Sequence, residues 1–164
     1  MSNAHELRVY AYVNRPYALV RDVLQADPLS LFQRATVRAT ARAQALVSTL
    51  RATVGPIELV ADVAVKVTSV EPERPTPLGP ATRIHLTWEA SKRPELFPTM
   101  EATLDVYALA PAETQVDFSG RYTPPLGVVG AALDALVGHR LAEAGVHRFV
   151  EDVAERLRLD VTTR

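Results

Sequence analysis

Four histidines are the first candidates for chemistry in this 164-residue chain: His5, His85, His139 and His147. They show no metal-ligand spacing, since even His139 and His147 lie two helical turns apart, and no metal or other cofactor is expected. The chain has no cysteine, so disulfides and thiolate sites are excluded. His139 is the histidine to follow, because Ala135 and Ala142 flank it. An imidazole among small apolar residues needs a hydrogen-bond partner, and Tyr122 or a bound ligand would supply one.

The carboxylates offer less. Glu58 and Asp62, like Glu101 and Asp105, share one face of a strand when spaced four apart, but that face is the charged one. An acid–base pair needs surroundings that separate two pKa values, and a solvated face supplies none. Arg34, Arg38 and Arg42 make a basic ridge that reads as a solvated helix face. Gly127-Val128-Val129-Gly130 is no phosphate loop, because the Lys-Ser/Thr pair is missing and the segment follows an antiparallel strand.

Composition narrows the classes further. Hydrophobic residues make up 48% and charged residues 23%, an ordinary globular balance. A net charge of −1 gives no electrostatic case for nucleic acid. No apolar run is long enough for a membrane span and no leader pattern opens the chain, so cytoplasmic residence without stable membrane insertion is the expectation. Residues 7–164 are read as one domain behind a short tail, 1–6, in which Ser2-Asn3-Ala4 resembles an expression scar.

Periodicity predicts the elements that position these residues. Leu7 to Val13 alternates apolar and polar residues, the mark of a strand. Pro16 opens a short helix to about Gln25. Asp27-Pro28 repeats the signal as N-cap and first helical residue, for a helix reaching about Thr53 with Phe32, Ala35, Ala39, Ala43, Leu46 and Leu50 on one face. From Ile57 to Val67 the period becomes two. Pro72 to Pro80 holds four prolines and is predicted as a loop. Three more strands follow at Thr82–Ala90, Thr99–Leu109 and Thr114–Thr123, each with one apolar and one charged face. Short connections make the set an antiparallel meander with one side covered. Leu126 to Leu159 is predicted as a helix, roughly 45 Å long or more at about 1.5 Å per residue. The fold class is therefore α+β.

This order resembles the helix-grip layout, in which an antiparallel sheet wraps a long C-terminal helix and two helices join strands 1 and 2. The chain also resembles the START/Bet v 1-like (SRPBCC, polyketide cyclase-like) superfamily, in a bacterial branch of unassigned function. The carrying residues are the run Leu96-Phe97-Pro98-Thr99-Met100-Glu101-Ala102 and the segment Gly120 to Gly127. Gly130-Ala131-Ala132-Leu133-Asp134 and His139-Arg140-Leu141-Ala142-Glu143-Ala144 complete them. The resemblance implies a hollow sheet and a tendency to bind hydrophobic ligands, with no catalytic assignment.

One face of the terminal helix carries Val128, Ala132, Ala135, Leu136, His139, Ala142, Val146, Val150, Val153 and Leu157. Its first half is small and its second half larger, so the first half should leave space against the sheet. A second stripe, Val129, Leu133, Val137 and Leu141, would be covered by a partner helix or by a second subunit of a homodimer. The expected ligand-binding residues are Leu86, Trp88, Met100, Leu104, Phe118 and Tyr122 on the sheet, with Ala135, His139 and Ala142 on the helix. Residues of these types on alternating strand positions serve equally well as plain core. Three functions follow: binding or carriage of an apolar small molecule or lipid, a cyclase or aromatase acting on a polyketide-like chain, and an interaction module with a vestigial cavity. The inward positions hold no Asp, Glu or Lys, which leaves a cyclase only His139, Tyr122 and Arg140, and binding ranks first.

Overall fold

The computed structural model describes residues 4–37, 41, 63–90, 99–123 and 131–162, and side chains for all of these but 63, 90, 123 and 131–141. Strand β1 (His5–Val13) leads into helix α1 (Tyr17–Ala26) and helix α2, described over residues 28–37. Strands β2 (Val63–Thr76), β3 (Gly79–Ala90), β4 (Thr99–Ala110) and β5 (Glu113–Thr123) follow, then helix α3 (Ala131–Thr162). The sheet runs β1-β5-β4-β3-β2 with every pair antiparallel. The four-strand meander is thus as expected, and β1 closes it beside β5.

Alternation decides which face is inside. Along β4, Met100, Ala102, Leu104 and Val106 are buried while Glu101 is exposed and Thr103, Asp105 and Tyr107 are half-covered. The same period buries Leu7, Val9 and Val13 on β1, Ile84, Leu86 and Trp88 on β3, and Val116, Phe118 and Tyr122 on β5. Helices α1 and α2 add Val20, Leu24, Phe32 and Ala35 to that core. The start of α2 matches its sequence signal: Ser30 N donates to Asp27 Oδ1 at 3.1 Å, satisfying a backbone N–H that the first turn leaves open. Helix α1 is tied to the sheet by a buried hydrogen bond of 2.9 Å between the Tyr17 and Thr82 hydroxyls.

Several boundaries differ from expectation, and the differences of two residues or more fall at three places. β1 begins at His5 rather than Leu7, because His5 and Glu6 pair with Tyr122 and Arg121 of β5. Helix α3 runs three residues beyond Leu159, where Arg158 Nη2 donates to the Tyr12 carbonyl and Arg15 Nη2 to Thr162 Oγ1. The largest difference is Pro72–Pro80, predicted as a loop, of which residues up to Thr76 extend β2 and Gly79 opens β3. β2 lies at an end of the described sheet, where a missing N–H leaves no ladder bond broken. Register shifts between Val67 and Ser69 and between Glu71 and Arg74 absorb Pro72, and Glu73 takes a left-handed backbone there with φ 53°. Only Pro77 and Leu78 form the turn, and Gly79 at φ 113° admits it. The expected segments Ile57–Asp62, residues 38–53 apart from residue 41, and Leu126–Gly130 lie outside the described residues.

Candidate functional site: the inward face of the sheet

Strand register sets the inward residues in rows. One row reads His5, Tyr122, Met100, Trp88 and Val65 across β1, β5, β4, β3 and β2. The next reads Leu7, Gly120, Ala102, Leu86 and Val67. In the third, Val9, Phe118, Leu104 and Ile84 are neighbours. All six sheet residues singled out from the sequence, Leu86, Trp88, Met100, Leu104, Phe118 and Tyr122, are therefore buried on one face. Ala142 packs against the core from α3. Ala135 and His139 belong to α3 by backbone, but their side chains lie outside the described residues.

The middle row is the shallow one. Gly120 sits directly opposite Ala102, and neither fills the space above the strands. Neighbours lean over the gap instead. A Cβ on Gly120 would stand 2.6 Å from Met100 Sδ and 2.9 Å from Phe118 Cε1, so both side chains need this residue to be glycine.

Helix α3 lays Phe149 across the rows, a residue that spacing from the sequence did not single out. Its ring meets Trp88 at 5.5 Å and Phe118 at 6.1 Å, both edge-on, and stacks on Phe32 at 6.0 Å. These separations are those of favourable aromatic pairs. With Val146, Val150, Val153, Ala154 and Leu157 also buried, the second half of α3 is filled core. One turn before Phe149 the described inward residues become small. Gly145 is buried, yet a Cβ built on it would meet nothing within 4 Å among the described residues. Ala142, on the same side, is equally small. Phe149 was legible as the i+3 neighbour of Val146, and Gly145 as the i+3 neighbour of Ala142.

Polar groups cluster at the other end. The Tyr122 ring is buried and stacks on His5 with centroids 5.4 Å apart. Burial pushes its hydroxyl pKa above the ordinary tyrosine value, and the Glu143 carboxylate on α3 adds to the rise. Tyr122 is thus held as a neutral hydrogen-bonding group across the physiological range. His5 was one of the four candidate histidines, but neither His5 nor Glu143 was among the expected ligand-binding residues.

The outward face is a different surface. An open depression of about 820 Å³ crosses it, with Ser119, Thr103 and Thr87 in its lining and Arg8, Arg121, His85, Glu6 and Glu101 around them. Most of its ions are already matched. Arg8 holds Asp117 through two hydrogen bonds of 3.1 and 2.6 Å, Arg121 meets Glu6 at 3.1 Å, and His85 meets Glu71 at 3.0 Å. Asp105, half of the Glu101/Asp105 pair, is bound by Arg83 through two bonds of 2.7 Å. Glu58, Asp62, Arg38 and Arg42 lie outside the described residues, and Arg34 is exposed. Among the described residues no group of three His, Asp or Glu is placed to hold a metal, and no helix is long and apolar enough to cross a membrane.

No protein-family model matches the chain, and no curated protein matches it in sequence. Solved structures do. A protein from Thermus thermophilus superposes with a TM-score of 0.50 at 14% identity, over 95% of this chain and 99% of that one. The chain has a helix-grip fold. The Zhui aromatase/cyclase from Streptomyces sp. R1128 aligns over 97% of this chain and 96% of its own, at 13% identity and a TM-score of 0.48. Norcoclaurine synthase from Thalictrum flavum, solved with dopamine and hydroxybenzaldehyde, aligns over 97% and 88% at 8% identity and a TM-score of 0.46. At such identities the likeness bears on fold alone.

Proposed function

We propose that this helix-grip domain binds or carries an apolar small molecule or lipid between the inward face of the sheet and the first half of α3. What supports the reading is the change of size along the inward side of α3. Val146, Phe149, Val150 and Val153 are large and buried, while Ala142 and Gly145 before them are small. No described side chain lies within 4 Å of where a Cβ on Gly145 would stand. The surroundings suit an apolar occupant: Trp88, Met100, Leu86, Leu104 and Phe118 form the sheet wall, and Phe149 the floor. On this reading the helix wall is Ala142, packed against the core, together with Ala135 and His139 as expected from the sequence. Tyr122 is the polar group at the far end, and its neutral hydroxyl can donate to a carboxylate or carbonyl on the ligand.

A second reading has one observation in its favour. Buried Tyr122 stacks on His5 and feels the Glu143 carboxylate. Although His5 and Glu143 are exposed, the three together offer a proton donor and two groups able to accept, as cyclising a polyketide-like chain would require. Binding is preferred because the apolar rows themselves contain no carboxylate or amine to start such a reaction.

Native mass spectrometry of protein purified from its source tests both. A retained small molecule with hydrocarbon character supports binding, and unchanged mass of that molecule on prolonged incubation separates carriage from turnover. Bare protein that also fails to take up ANS or compete it off with fatty acids would leave a closed core and an interaction module.

A further inference from the structure

We propose that the free edge of β1 pairs antiparallel with β1 of a second copy of this chain, about a two-fold axis at Val9. The surface lies apart from the inward face, and its pairing needs no ligand.

The described sheet has two edges, β1 and β2, and they are built differently. β2 carries Lys66, Pro72 and Pro75, two register shifts and the left-handed Glu73, features that stop a further strand from adding. β1 has no proline, no lysine and an unbroken register from His5 to Val13. Register also decides which of its backbone groups are free. The Pro111-Ala112 turn closes on an Ala110–Glu113 pair, so Glu113 bonds to β4 and Thr114 turns its backbone groups to β1. Every second residue of β5 does the same, which engages Val13, Ala11, Val9, Leu7 and His5. Glu6, Arg8, Tyr10 and Tyr12 then aim their N–H and C=O groups away from β5. The Tyr12 carbonyl agrees with this, since it accepts from Arg158 of α3 at 3.2 Å. Among the described residues no strand pairs with the other three on that side, and all three are exposed.

One register of β1 on itself is self-complementary. About Val9, Arg8 lies opposite Tyr10 of the second copy and Tyr10 opposite its Arg8, each pair exchanging two ladder bonds. A guanidinium beside a phenol ring is a favourable contact. The Arg8 side chain is 72% exposed although Asp117 holds it, and Tyr10 is 58% exposed. On the inward side Val9 meets Val9 and Leu7 meets Ala11, so apolar rows continue from one copy into the other. Centred on Arg8, the strands would oppose two arginines. Centred on Leu7, they would set the inward His5 against Val9 and leave both tyrosines without partners. Centres beyond Val9 need the Tyr12 carbonyl that Arg158 occupies.

Sedimentation velocity from about 1 μM to about 1 mM tests the pairing, with hydrogen exchange resolved by NMR to place the contact. Wild type should pass reversibly from monomer to dimer. The Arg8 and Tyr10 N–H groups should exchange at least about tenfold more slowly where the dimer prevails, while the edge of β2 keeps its rate. Tyr10→Lys sets like charges opposite each other at both symmetric pairs and should weaken the dimer about tenfold or more. Tyr10→Phe keeps the ring and should stay within about twofold of wild type. Tyr10→Pro removes an N–H that the monomer does not use, so it should keep the fold by circular dichroism and abolish the dimer. A chain that stays monomeric over the whole range overturns the proposal. So does a dimer that Tyr10→Lys and Tyr10→Pro leave intact, or one whose slowed amides lie on another surface such as the terminal helix. If neither variant folds, the wild-type exchange pattern alone decides.

Discussion

Trp88, Phe118 and Phe149 form one aromatic knot in which a helix residue joins two strands. Removing its centre should be expensive. Phe149→Ala is expected to lower unfolding stability by about 3–5 kcal/mol, through lost burial and the cavity left behind. Denaturant unfolding measures that loss, and Trp88 emission should shift to the red as water reaches the indole. Tyr122 adds a pH dependence. Its folded pKa lies above the unfolded value, so the native state holds the proton more tightly. That stability is fully present below the unfolded tyrosine pKa of about 10 and is lost as pH rises through the folded value. Tyr107 shifts the same way, mainly through burial, so Tyr122→Phe should reduce the alkaline loss without abolishing it, as thermal melts from neutral to alkaline pH would show. Alternation alone revealed that Trp88, Met100 and Phe118 face inward. It could not reveal that Gly120 makes room for two of them, because that room depends on side chains from neighbouring residues leaning across a strand.

Elements followed the sequence where one local cue decided them and departed where position in the sheet did. The Asp27 cap is a local cue: its carboxylate sits on the Ser30 N–H whatever lies around it. Asp27→Ala should therefore cost about 1 kcal/mol, read as a lowered midpoint in urea with an unchanged slope. Prolines at Pro72, Pro75, Pro77 and Pro80 argued for a loop, yet the hairpin of β2 and β3 runs through most of that stretch. Proline's penalty is the loss of a ladder donor, and at a sheet edge or a bulge there is no such bond to lose. The strand order that makes β2 an edge cannot be read from spacing. Gly79→Ala should destabilise this hairpin by about 1–3 kcal/mol, because φ 113° is closed to a residue with a Cβ, even though open space surrounds the position.

At the scale of the whole molecule, the binding reading divides the grip along α3 into a filled part and an unfilled part. From Val146 to Leu157 large apolar residues are buried in the core with the sheet and the first two helices. Before Val146 the described inward residues are Gly145 and Ala142, both small. The gradient from small to large along the helix was visible in the sequence. Whether small residues mean space or a close approach depends on what the sheet brings opposite them, which only the fold supplies. The most direct measurement is to place a side chain where the space is. Gly145→Leu, compared with wild type by thermal unfolding and by ANS titration with fatty-acid competition, asks both questions at once. The account predicts stability unchanged or raised by up to about 1 kcal/mol, because leucine is the better helix former and enters open space. It also predicts that saturable ANS binding falls at least about tenfold. A loss of about 1–3 kcal/mol from overpacking, with ANS binding the same in both proteins, would contradict it and place solid core beside Gly145.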